Sequence, residues 1–144
     1  MKGENRTILI GEVYYIDFGI HENNEQGGWR PGVIFQNNTG NRYSPNVIAL
    51  PLTTALKRQD MPTHVVLPSQ KTGLPKDSMV LCENPVCVSK ALIGERITTL
   101  PEEYMEQIAI AHLYATAAIT FIDPSALMYI QKKAAQLNAT GGNK

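Results

Sequence analysis

Between residues 13 and 100 the chain alternates short apolar, β-branched runs with polar segments rich in glycine, proline or asparagine, and this punctuation limits the fold more than any other feature. Val13, Tyr14, Tyr15, Ile16 and Phe18 suit a pleated, half-buried strand. The following residues 21–28 are polar and end in Gly27-Gly28, which reads as a long loop. A second strand is expected over 31–36. A second polar loop is expected over 37–45, with Gly40 available for a positive φ. Residues 47–53 are almost unbroken in apolar character, as in a strand covered on both faces. Pro51 cannot donate to a ladder, so this strand is expected to lie at an edge or to bulge there. Residues 63–67, 78–83 and 96–100 read as further short strands. Short strands joined by turn-rich connections predict a small barrel or a strongly bent sheet.

Helical periodicity takes over after residue 100. Thr99 is the expected cap, and Pro101, Glu102 and Glu103 suit a first turn and its positive dipole end. Met105, Ile108, Ala109, Leu113 and Ala117 follow helical spacing. Beyond Leu113 nearly every face is apolar or small, which predicts a helix buried either centrally or against a second subunit, the subunit being favoured in so short a chain. Asp123-Pro124-Ser125 breaks that helix, and an amphipathic one is expected over 126–137, with a frayed end from 139. The division is therefore a mainly β domain over 1–122, with its C-terminal helix, and a helical extension over 123–144.

At 144 residues, with 43% hydrophobic and 18% charged residues, the chain can bury a core without disulfides or metals. Its formal net charge is zero. Phosphate neutralisation dominates nucleic-acid affinity, so any such contact must come from a few locally gathered cations. Cys82 and Cys87 match neither a CxxC redox pair nor a zinc spacing and read as two buried thiols. The apolar-rich stretch over 108–122 is interrupted by polar residues and is shorter than the ~20 residues of a membrane span. Nothing at the N-terminus resembles a secretory signal. A cytoplasmic protein without membrane contact is expected.

Reactive polar groups gather in the connections. Glu25 and Arg30 flank the Gly27-Gly28 hinge, Thr53 and Thr54 end one strand, and Glu83 and Asn84 end another. Strand ends of a small barrel converge on one rim. No phosphate-cradling glycine loop, paired acidic metal cage or nucleophile elbow appears, so neither cofactor nor metal is expected. Arginine, threonine, glutamate and asparagine can bind a phosphodiester, steady developing charge and move one proton. RNA carries its own nucleophile, the 2′-hydroxyl, and needs only positioning and charge stabilisation.

These residues resemble the MazF/PemK toxins. Gly11-Glu12-Val13 through Asp17, followed by Glu25-Gln26-Gly27-Gly28-Trp29-Arg30-Pro31, is similar to the family opening G-[DE]-V-x-x-x-D…E-Q-x-G-x-R-P. Further blocks follow in family order: Gln36-Asn37, Asn41-Arg42-Tyr43-Ser44-Pro45, Pro51-Leu52-Thr53, Pro62-Thr63-His64-Val65 and Asp77-Ser78-Met79-Val80-Leu81-Cys82-Glu83. The resemblance implies an SH3-like barrel of five to seven strands with a C-terminal helix, dimerised so that two sites face an interfacial groove. It implies metal-independent cleavage of single-stranded RNA at a short sequence, leaving a cyclic 2′,3′-phosphate and a 5′-hydroxyl. Arg30 matches the family's catalytic arginine, Thr53 its catalytic threonine and Glu25 an acidic loop residue tied to activity. Glu83 matches the acidic position of variants that use a carboxylate base, but the arginine those variants carry two residues earlier is Leu81 here.

On this reading Phe18 and Trp29 stack on bases, Asn84 reads a base edge, and Asn37 and Glu83 join them in binding substrate. His64 and His112 are expected to be structural. The implied partners are single-stranded RNA, a second copy of the chain, and a MazE-like antitoxin whose disordered acidic segment crosses a groove made positive by Arg30, Lys57, Arg58 or Lys71. The alternatives are a CcdB-like gyrase poison that cleaves nothing and a catalytically silent binding relative.

Overall fold

A computed structural model describes residues 6–19 and 28–142. Seven antiparallel strands form one curled sheet: β1 Glu12–Asp17, β2 Trp29–Ile34, β3 Asn46–Thr53, β4 His64–Leu67, β5 Ser78–Leu81, β6 Val86–Ser89 and β7 Ile93–Thr99. The order is β4-β5-β3-β2-β1-β7, with β6 on β3. Helix α1 spans Asn38–Tyr43, α2 Ser69–Thr72, α3 Glu102–Ala115 and α4 Leu127–Gly142.

Strand β3 organises the sheet. One of its edges takes β2, with Gly32 opposite Pro51 and Ile34 opposite Ala49. Its other edge takes β6 along Asn46 to Ala49 and β5 at Leu52 and Thr53. Residues 82–85 turn the chain from β5 to β6 opposite Leu50 and Pro51. Pro51 is thus central rather than at an edge, and it sits where the ladder is interrupted, so its missing N–H is tolerated.

Side-chain alternation along the strands sorts the interior into two clusters. Val13, Val33, Leu50, Leu52, Val65, Leu67 and Val80 meet Tyr104, Ile108 and Ala111 of α3. The opposite face gathers Tyr14, Ile16, Ile34, Val47, Ala49, Val88 and Ile93, with Phe18 packed against them.

Several local expectations give way to tertiary context. The loop over 37–45 contains α1, because Asn37 caps it by accepting from the Gly40 N–H at 2.9 Å, and the buried Asn41 donates to the Gln36 carbonyl at 2.8 Å. Gly40 therefore lies inside a helix and has no positive φ. The short Val86-Cys87-Val88 run has β-branched residues but lies outside the expected strands; it forms β6 by pairing with β3. Pro101, not Thr99, is the N-cap of α3; Thr99 ends β7 and its hydroxyl accepts from Arg96 at 2.8 Å. Helix α3 stops at Ala115, and the residues beyond it, Phe121 above all, are exposed within the single chain. Cys82 is buried as expected, but Cys87 on β6 is exposed.

The C-terminal extension folds back as α4 onto α1. Leu137 and Asn138 meet the start of α1: the Asn38 N–H donates to Asn138 Oδ1 at 3.1 Å and the Thr39 hydroxyl to the Leu137 carbonyl. The Asn138 side-chain oxygen thereby satisfies one backbone donor that the first turn of α1 leaves open, and the Thr39 hydroxyl adds a side-chain tie.

Candidate active site

Arg30 lies in β2 directly opposite Ile16 of β1. Across the β2–β3 ladder, Ile34 faces Ala49, Val33 faces Leu50 and Gly32 faces Pro51. That ladder ends at Gly32 and Pro51; Arg30 and Thr53 each stand two residues beyond it on their strands, and the two-residue alternation keeps both on the face of Gly32 and Pro51. That face is the one carrying Ile16, Ile34 and Ala49. Both residues are partly buried. The Thr53 hydroxyl oxygen accepts from the Ala55 N–H at 3.0 Å, leaving its own hydrogen to donate outward.

Phe18 follows β1 and covers the middle of this face. A Cβ added at Gly32 would stand 2.7 Å from Phe18 Cζ and 3.0 Å from Ile16 Cδ1, so the absent side chain is what admits the ring. The Phe18 N–H donates to the Gly28 carbonyl at 3.1 Å, and the Gly28 N–H to the Gly19 carbonyl at 2.8 Å, which closes the base of the glycine-ended loop. Glu25 lies outside the described residues.

Glu83 and Asn84 occupy the turn between β5 and β6, beside Pro51 and close to the end of β3. Glu83 Oε2 lies 3.1 Å from His64 Nε2, and His64 Nδ1 lies 2.8 Å from the Arg58 carbonyl oxygen. Burial alone would raise the Glu83 carboxyl, but hydrogen bonds from its own backbone N–H and from His64 outweigh that and hold it below the usual carboxylate value. Asn84 is exposed. The ring of His64 thus joins this turn to the loop that follows Thr53, a connection no sequence spacing announces because it arises from the pairing of His64 with Leu81.

Two expected substrate contacts lie apart from this cluster. Alternation sends Trp29 to the face opposite Arg30, where its ring packs on Gly94; a Cβ there would stand 2.9 Å from Trp29 Cζ3. Asn37 caps α1, beyond the far end of β2 from Arg30, and its side-chain oxygen is engaged there. Among the described residues, no group of three or more His, Cys, Asp or Glu side chains is placed to hold a metal ion. Among the same residues, no helix is long and apolar enough to cross a membrane.

The curled antiparallel sheet, with a helix across one face and an arginine and a threonine toward the strand ends of the other, defines a small, mainly β protein with a polar cluster at one end of its sheet. The model of the family described as PemK-like, MazF-like toxin of type II toxin-antitoxin system matches residues 10–112, and the chain belongs to this family. It is 41% identical over 101 residues to the endoribonuclease MazF of Staphylococcus epidermidis, covering 70% of this chain and 84% of that protein. Among solved structures, a mycobacterial endoribonuclease in complex with its cognate antitoxin is 30% identical with a TM-score of 0.62, covering 75% of this chain and 93% of that one. MazF from Deinococcus radiodurans shares the fold at a TM-score of 0.65 and 20% identity, over 76% of this chain and 96% of that one.

Proposed function

We propose that this protein is the toxin of a type II toxin-antitoxin pair and cleaves single-stranded RNA at a short sequence without a metal ion. The observation that carries the reading is the placement of Arg30 and Thr53 on adjoining strands and one face. The Arg30 guanidinium grips the non-bridging oxygens of the scissile phosphodiester, for which its planar, always-charged fork is suited. The Thr53 hydroxyl donates to the same phosphate. The ribose 2′-oxygen attacks phosphorus, its proton passes to a base, and the bond to the 5′-oxygen breaks as that oxygen takes up a proton. The products are a cyclic 2′,3′-phosphate and a 5′-hydroxyl. Stabilisation of the phosphorane charge by the two donors supplies the rate.

Glu25 assists proton transfer or orients Arg30 from the adjacent loop. Phe18 stacks on a base, while Glu83 and Asn84 present an acceptor and an amide to base edges. The protein works as a homodimer in the cytoplasm; the exposed Ile110, Leu113, Tyr114, Ile119 and Phe121 at and beyond the end of α3 support a second copy as their cover. An antitoxin with an acidic segment blocks the site. Purified protein incubated with mixed-sequence single-stranded RNA in EDTA should yield fragments with 5′-hydroxyl ends, and sequencing those ends reads the recognition sequence. Intact RNA across a broad panel would refute the reading, and gyrase inhibition in its place would mark a CcdB-like poison.

A further inference from the structure

A second polar cavity lies at the other end of β3. It has a volume of about 290 Å³ and is formed where the end of α1 meets the segment after β6, with Arg42, Tyr43, Ser44, Ser89 and Lys90 among its walls. The Lys90 N–H donates to the Pro45 carbonyl at 2.9 Å, which fixes the two walls together. Among the described residues, no carboxylate lines it. Lys90 is only 9% exposed, yet among the described residues no acceptor or ion-pair partner reaches its ammonium. The residue is packed along its stem, its ammonium is not among the fully enclosed atoms, and partial desolvation pulls Lys90 below the usual lysine value. The hydroxyl oxygens of Ser44 and Ser89 accept from the N–H groups of Asn46 and Ala91, at 3.0 and 3.1 Å, which leaves both hydroxyl hydrogens to donate. The Arg42 guanidinium sits 5.4 Å from the centre of the Tyr43 ring, which is 65% exposed. Two cations and two hydroxyl donors without a counter-charge make a receptor for an anion, and the neighbouring ring offers a stacking face.

A neighbouring cavity borders this one and reaches Phe18. This shallow cavity of about 250 Å³ runs from Phe18 and Gly19 along Val86, Cys87 and Val88 to Ser89, which lines both. Its one carboxylate among the described residues, Asp17, accepts from the Gly19 N–H at 3.0 Å. Ser89 pairs with Asn46, and β3 ends at Thr53, so the cationic cavity stands roughly 20 Å from Thr53 at ~3.3 Å per strand residue.

We propose that the Arg42–Lys90 cavity binds a phosphodiester of the RNA strand several nucleotides away from the one cleaved, with Tyr43 stacking on an adjacent base and β6 bordering the track between the two sites. The proposal rests on the nuclease reading above. It gives a chain of zero net charge a local cationic anchor for a polyanion, distinct from the arginine that meets the reacting phosphate.

The test uses a labelled, mixed-sequence single-stranded RNA with 2′-O-methyl groups, which cannot attack its own backbone, titrated with wild type, Arg42→Gln, Lys90→Met and the double variant over a range of salt. The wild-type slope of log affinity against log salt should become shallower by ~0.7 for each phosphate no longer neutralised, with affinity about tenfold lower at low salt. On cleavable RNA the variants should raise KM and leave kcat unchanged, and Arg42→Lys should recover part of the slope. Exposed Arg42 keeps the test decisive if Lys90→Met fails to fold: an Arg42→Gln slope and KM equal to wild type overturn the proposal. Wild type that binds and cuts while the double variant keeps its slope and KM also overturns it, without touching the nuclease reading. Wild type that neither binds nor cuts RNA fails that reading itself. A poly-glutamate peptide that loses affinity for the double variant while RNA binding is unchanged would assign the cavity to an acidic protein segment and overturn the RNA proposal.

Discussion

His64 stands between two acceptors, with Nε2 3.1 Å from the Glu83 carboxylate and Nδ1 2.8 Å from the Arg58 carbonyl oxygen. It therefore ties together two segments that flank the end of β3: the loop after Thr53, where Arg58 has a left-handed φ of 56°, and the turn carrying Glu83 and Asn84.

The pair gives a pH dependence of known sign. The Glu83 carboxyl is held below the usual value of 4.5, so its stabilising contribution is present above that value and is lost as pH falls through the lowered, folded one. Glu83→Gln should cost ~0.5 kcal/mol at neutral pH, a modest figure because the side chain is 33% exposed, and the difference should vanish in acid. Urea unfolding of both proteins at neutral and acidic pH measures this. A difference that stays constant with pH would show that the carboxylate contributes nothing by its charge.

Arg30→Ala should lower kcat/KM for RNA by ~10²–10³-fold while leaving the thermal midpoint within a degree or two. Arg30→Lys should recover little, because a point charge does not reproduce a two-pronged grip. Thr53→Val, which keeps shape and deletes the hydroxyl, should lose activity, and Thr53→Ser should retain most of it. Quantifying 5′-hydroxyl ends decides the matter, and full activity in Thr53→Val would remove that residue from the site.

Gly32→Ala tests the seat of Phe18. The added carbon lands 2.7 Å from Phe18 Cζ, so the ring must move or the strand must shift. A destabilisation of ~1–3 kcal/mol is expected from such overpacking, together with weaker RNA binding. Near-wild-type behaviour in both would mean that Phe18 has another place to go at no cost.

Ile108→Ala probes the attachment of α3 to the sheet. Ile108 is fully buried between the helix and Leu50, Leu52 and their neighbours, so truncation should cost ~2–5 kcal/mol in denaturant unfolding. Ile110, on the exposed side of the same helix, should tolerate alanine in the monomer. If Ile110→Ala instead makes stability depend on protein concentration, the second copy lies over that face.

Asn138→Ala removes the side-chain acceptor that α4 offers to the first turn of α1. A loss of ~1 kcal/mol is expected, confined to faster hydrogen exchange in α4 and α1 while the sheet amides keep their protection. Faster exchange in β1 to β3 would show that the extension is part of the main cooperative unit.

Much of the architecture is written locally in the chain. Runs such as Val13 to Ile16 and Val47 to Leu50 have the β-branched composition that selects strands, and the spacing of Met105 and Ile108 selects a helix. The segments bearing Arg30, Thr53 and Glu83 are readable as strand ends from the punctuation around them, and the ordered motifs mark the family. What only the tertiary structure decided is adjacency between distant segments. The pairing that sets Arg30 and Thr53 on one face, the attachment of β6 to β3, the His64 ring beside Glu83, the separation of Trp29 and Asn37 from the site, and the enclosure of Lys90 against Pro45 all depend on ladder hydrogen bonds between segments far apart in sequence. A strand's composition fixes that it will pair and that its side chains alternate. Which partner it takes, and in which register, is settled by the burial of whole faces at once, and a slip of one residue would turn every side chain to the other side.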